Sequence, residues 1–140
     1  MSLSRKAALV AVATIALATA GAGAAQAEPG PDGSLYGSFA LNERNGDSGW
    51  GANYPDWAAS DARALEECGS ADCVIVVRFQ DECAAIAVNS DNEWIEGYGP
   101  TLRLAELTAI RNLGPLDPPF PNFGSAAPKT AEILISACAN

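Results

Sequence analysis

Cys73-Val74-Ile75-Val76-Val77-Arg78-Phe79 is followed, after a break at 80–82, by Cys83-Ala84-Ala85-Ile86-Ala87-Val88. The first run is β-branched and almost continuously apolar, so it reads as a strand buried on both faces. The second is another apolar strand. Upstream, Leu35 to Leu41 reads as a strand, Asn42 to Asp47 as a turn with the hairpin signal Asn45-Gly46, and Ser48 to Ala52 as a return strand around Trp50. A helix follows. Pro55 suits its first turn, Asp56 suits the positive end of the dipole, and Ala58, Ala62 and Leu65 recur at helical spacing up to Gly69.

Downstream of Cys83 the same order returns. Asn89-Ser90-Asp91-Asn92 is a turn and Glu93 to Gly97 a return strand around Trp94. Thr101 is an N-cap, Leu104, Leu107 and Ile110 form an apolar helical face, and Gly114 closes it. Glu132 to Ala137 is the last strand. Leu41-Asn42 answers Val88-Asn89, and Trp50 with Tyr54 answers Trp94 with Tyr98. The chain is therefore read as one domain, 35–140, of two repeats, 35–80 and 82–140. A unit of about 50 residues buries too little surface to stand alone. The expected fold is α+β: a duplicated β-β-α-β unit forming one mainly antiparallel six-stranded sheet with two helices packed on it.

Residues 1–27 have the order of a secretory signal peptide. Arg5 and Lys6 precede an apolar stretch from Ala7 to Ala20, and Ala25-Gln26-Ala27 fits the cleavage pattern. The mature chain would begin at Glu28, pass through a flexible Pro/Gly-rich lead-in at 28–34, and lie outside the cytoplasm with no stable membrane insertion. The whole chain carries 17 acidic and 8 basic side chains and no histidine. Loss of Arg5 and Lys6 leaves a net charge of −11. Such a chain repels nucleic acid phosphates, and without histidine it can build no Ser-His or Cys-His pair.

Export makes the four cysteines a disulfide framework rather than a zinc site. Four cysteines allow three pairings, and the element order selects one. Cys68 ends the first helix and Cys73 opens the next strand. Cys83 opens the second half and Cys138 closes it. The expected bridges are Cys68–Cys73 and Cys83–Cys138.

Gly49-Trp50-Gly51-Ala52-Asn53-Tyr54-Pro55, Ala62 to Gly69, Asp72-Cys73-Val74-Ile75-Val76 and Cys83 to Val88 together resemble a known family. It is the secreted bacterial domain of unknown function numbered 4189. The resemblance begins at Tyr36-Gly37 and runs over about 35–138. In the second half the chain departs from the pattern, carrying Leu113-Gly114 and Glu132 where family members often have a further cysteine pair. The resemblance implies fold and compartment and assigns no activity.

Catalytic chemistry would fall to carboxylates. Asp81-Glu82 and Glu66-Glu67 are neighbours whose side chains diverge, while Glu93 and Glu96 flank Trp94. Asn42–Asp47 and Asn89–Glu93 offer oxygen ligands but lack the twelve-residue calcium loop, so they read as turns. No catalytic residue, metal ligand or cofactor is assigned. Trp50, Tyr54, Trp57, Trp94 and Tyr98 read mainly as helix–sheet anchors, with Trp57 exposed. The segment 115–128 is rich in proline and offers Phe120 and Phe123 as anchors. Phe120, Phe123 and Trp57 are the candidate partner-binding residues. The expected function is non-catalytic recognition of an unidentified protein at the envelope or outside the cell; the alternative is a small carboxylate-dependent hydrolase in the envelope.

Overall fold

The computed structural model describes residues 29–114 and 130–140. The leader at 1–27 and the whole 115–128 segment, with Phe120 and Phe123, lie outside the described residues. The elements run β1 (Tyr36–Leu41), β2 (Ser48–Tyr54), α1 (Trp57–Cys68), β3 (Val74–Gln80), β4 (Cys83–Asn89), β5 (Trp94–Gly99), α2 (Leu102–Asn112) and β6 (Ala131–Cys138). The order is β-β-α-β twice over.

The strands do not join into the single six-stranded sheet expected from the sequence. They form two three-stranded antiparallel sheets, β2-β1-β3 and β5-β4-β6. The reason lies in the central strands. Phe39 of β1 faces Val77 and Phe79, and these pack on Ala84, Ile86, Ile135 and Ala137 of the other sheet. The opposite face of β1 presents Ala40 to Ala64 and Cys68 of α1. The opposite face of β4 presents Cys83, Ala85 and Ala87 to Ala105 and Ala109 of α2. One sheet with helices on one side would leave its other face wet. Strands apolar on both faces need two covers, and the second cover is the other sheet. The layers are thus helix, sheet, sheet, helix.

Of the two helices, α2 is capped by Thr101 as expected, whereas α1 begins at Trp57, with Pro55 ahead of it rather than in its first turn and Asp56 as its N-cap. Asp56 Oδ1 accepts from Ala59 N at 2.8 Å and Thr101 Oγ1 from Leu104 N at 3.3 Å. Gly69 closes α1 at φ 74°, its N–H bonding Leu65 O. Their buried faces, however, are not the expected ones. Ser60, Ala64 and Cys68 of α1 and Ala105 and Ala109 of α2 point inward. Ala58, Ala62 and Leu65 face outward, as do Leu104 and Leu107, 47% and 44% exposed. The return strands explain this. A Cβ on Gly49 would sit 2.2 Å from Ala64 O, and one on Gly97 would sit 2.1 Å from Ala109 N. The helix backbones rest directly on glycine, and only a small-residue stripe fits that spacing.

Two further expectations are corrected. β3 is an edge strand rather than one buried on both faces: Val74 is 53% exposed and Arg78 lies at the surface. Trp50 and Trp94 are not equivalent. Trp50 pairs with Phe39, whereas Glu96 pairs with the matching Ile86; Trp94 takes the place of Ser48.

Both bridges form between the expected partners, Cys68 with Cys73 and Cys83 with Cys138. The first joins the end of α1 to the start of β3 across a sequence separation of 5. The second joins two directly paired positions of β4 and β6, 55 residues apart in sequence. The segment 30–34 makes a turn in which Gly30 N bonds Ser34 O at 3.0 Å, and Asp81 Oδ1 accepts from Leu35 N at 2.8 Å.

Candidate functional site

The β1–β2 and β4–β5 hairpins project from the same end of the sandwich. Each turn is closed by its own asparagine. Asn42 Oδ1 accepts from Arg44 N at 3.0 Å, and Asn89 Oδ1 accepts from Asp91 N at 2.9 Å and Glu93 N at 3.0 Å. This is the local chemistry that favours Asn in turns. It directs the side-chain oxygens into the turn rather than towards a cation. Among the described residues no group of three metal-ligating side chains comes together.

Between the hairpins the mouth of the inter-sheet core stays open as a cleft of about 310 Å³. Its apolar floor is Leu41, Val88, Trp94 and Leu134; its charged rim is Glu43, Arg44 and Glu132. Trp94 is there because β5 carries it two positions nearer the turn than β2 carries Trp50. The two turns, separate in the sequence, meet around one hole. Sequence reading identified both turns and Trp94 but had no means of seeing that they converge.

The other aromatics are elsewhere. Trp57 is 40% exposed at the start of α1 and packs edge-on against Tyr36, 4.8 Å between ring centroids. Tyr36 opens β1, so this pair stands at the opposite end of the strand from the cleft. Trp50 and Tyr98 are largely exposed. The structure brings none of these beside Trp94 in the cleft lining.

The carboxylates singled out from sequence also separate. Glu66 and Glu67 share Arg63, at 3.2 and 2.6 Å. Glu93 accepts from Asn89 Nδ2 at 2.7 Å. Asp81 is held below its ordinary value chiefly by the Leu35 N–H, and Asp32 chiefly by the Tyr36 hydroxyl, 2.7 Å away. Both shifts favour the ionised form. A general acid at neutral pH needs the reverse.

The family profile for the domain of unknown function DUF4189 matches residues 36–138, the β1-to-β6 span of the fold. The chain belongs to the DUF4189 family. It is 38% identical over 82 residues to Protein Rv1269c and Protein MT1307 of Mycobacterium tuberculosis and to Protein Mb1300c of Mycobacterium bovis. That stretch covers 57% of this chain and 62% of each relative, so the chain spans less than two thirds of the proteins it matches. No solved structure matches. The DUF4189 match spans the two-sheet sandwich and carries no activity with it.

Proposed function

We propose that this DUF4189 protein is an exported recognition module that works by binding and not by catalysis. The observation that carries the reading is the inter-hairpin cleft, with its apolar floor of Leu41, Val88, Trp94 and Leu134 and its polar rim. Concave apolar sites edged by a few polar groups are the usual form of a binding site. Export rests on the leader-like order of residues 1–27, and two disulfides suit an oxidising compartment. The ligand is a segment of another protein at the envelope or outside the cell.

The test is an amide-shift titration of the disulfide-bonded chain with pooled short peptides, run beside an assay of glycan and ester hydrolysis. Shifts confined to 41–46, 88, 92–94 and 132–134 are expected, with no turnover. Turnover that disappears on carboxylate-to-amide substitution overturns the reading. So does peptide binding that leaves the cleft silent.

A further inference from the structure

We infer that the cleft receives the cationic side chain of a basic peptide segment, its aliphatic stem on Trp94 and Leu134 and its charged head between Glu43 and Glu132. This rests on the reading of the cleft as the binding site and adds the chemistry of the occupant. A volume of about 310 Å³ stands at the small end of ligand pockets, room for one long side chain rather than a cofactor. Long basic side chains combine an apolar stem with a charged tip, which matches an apolar floor under a carboxylate rim. The indole of Trp94 adds an attractive face for a cation.

Charge selects the same occupant. Glu43, from the first half of the chain, and Glu132, from the second, line the cleft with carboxylates that have no hydrogen-bond or ion-pair partner among the described residues. Arg44 is the one cation in the described lining, and it is turned to Asp72 at 3.4 Å. Asp47, Asp91 and Glu93 stand in the same two hairpin turns. The local field is therefore negative, and so is that of the whole chain, at −9. An acidic ligand would meet repulsion from every side but Arg44.

The experiment uses blocked pentapeptides, acetyl-Gly-Ala-X-Ala-Gly-amide, with X as arginine, lysine, norleucine or glutamate. Binding to the disulfide-bonded chain is followed by amide shifts and the indole N–H shift of Trp94. The arginine and lysine peptides should bind about tenfold more tightly than norleucine, and the advantage should shrink with added salt. Glu43→Gln with Glu132→Gln should cut that preference to about twofold while the melting temperature holds, since both carboxylates lie at the surface. Equal binding by norleucine overturns the cationic occupant and leaves the cleft standing as a binding site. Tighter binding by the glutamate peptide overturns it as well. If neither cationic nor neutral peptides shift the cleft residues, the binding-site reading falls with it.

Discussion

The two halves of the molecule share a backbone plan and differ in the chemistry between helix and sheet. In the first half Ser38 of β1 is fully buried. Its hydroxyl meets Ser60 Oγ at 2.8 Å and donates to Asp61, which the Arg78 guanidinium holds in turn. In the second half the position of Ser38 is Ala85, fully buried, and that of Arg78 is Ser136, which donates to Glu106 Oε1 at 2.8 Å. The glycine contacts, by comparison, are alike: Gly49 and Gly51 lie under α1, and Gly97 and Gly99 under α2. The difference teaches that backbone approach defines this unit. The side chains between helix and sheet can differ, polar in one half and apolar in the other, provided each polar group finds a partner.

The bridges differ most between the halves, and removing them should separate the halves furthest. Loop-closure entropy assigns about 4 kcal/mol to the Cys83–Cys138 bridge and about 2 kcal/mol to the Cys68–Cys73 bridge. In urea denaturation Cys83→Ser should therefore lose about twice the stability lost by Cys68→Ser. Equal losses would show that residual structure in the unfolded chain masks loop length.

The shared glycine contact comes next. Gly97→Ala places a methyl group against the backbone of α2 and should cost about 3 kcal/mol by overpacking. Gly46→Ala meets nothing within 4 Å and pays only for its left-handed backbone, φ 78°. About 1 kcal/mol is expected there. A tolerant Gly97 would mean that α2 shifts on the sheet more readily than a close-packed contact allows.

Exchanging the polar and apolar centres sharpens the contrast on a smaller scale. Ser38→Ala should cost about 1.5 kcal/mol by removing hydrogen bonds from a buried network. Chemical denaturation giving a more stable Ser38→Ala protein would mean that the network contributes specificity rather than stability. Leu107→Gln, on the outer face of α2, should change stability by no more than about 0.5 kcal/mol. A large loss there would restore the leucine stripe as a packed face.

The smallest effect is electrostatic and belongs to the entry to β1 and the link after β3. Asp32 and Asp81 have pKa values below the ordinary 3.8, so their contribution is present above that pH and is lost as pH falls through the lowered values. Tyr36 is raised above 10.0, chiefly by its hydrogen bond to Asp32; its contribution is complete below pH 10.0 and is lost as pH rises through the raised value. Asp32→Asn should flatten both limbs of a plot of melting temperature against pH. A change confined to neutral pH would contradict the assignment.

Much of this architecture is written locally. Asp56 and Thr101 as caps, Gly69 as a helix stop, Asn42 and Asn89 as turn formers and the order of the eight elements follow from interactions within a few residues. The pairing of the cysteines follows from that order. What the tertiary structure alone decided is which face of each element is inside. Leucine periodicity on α2 pointed to the wrong face because depth is set by the opposing surface, and that surface is glycine. The apolar run at 73–79 pointed to a strand buried on both faces, but that strand, β3, lies at an edge; the strands covered on both faces are the central β1 and β4, and only assembly showed that a second sheet supplies the other cover. The cleft is the extreme case. Trp94, Glu43 and Glu132 come from separate elements of two halves, and no short-range rule links them; they meet because two hairpins emerge from facing sheets at the same end.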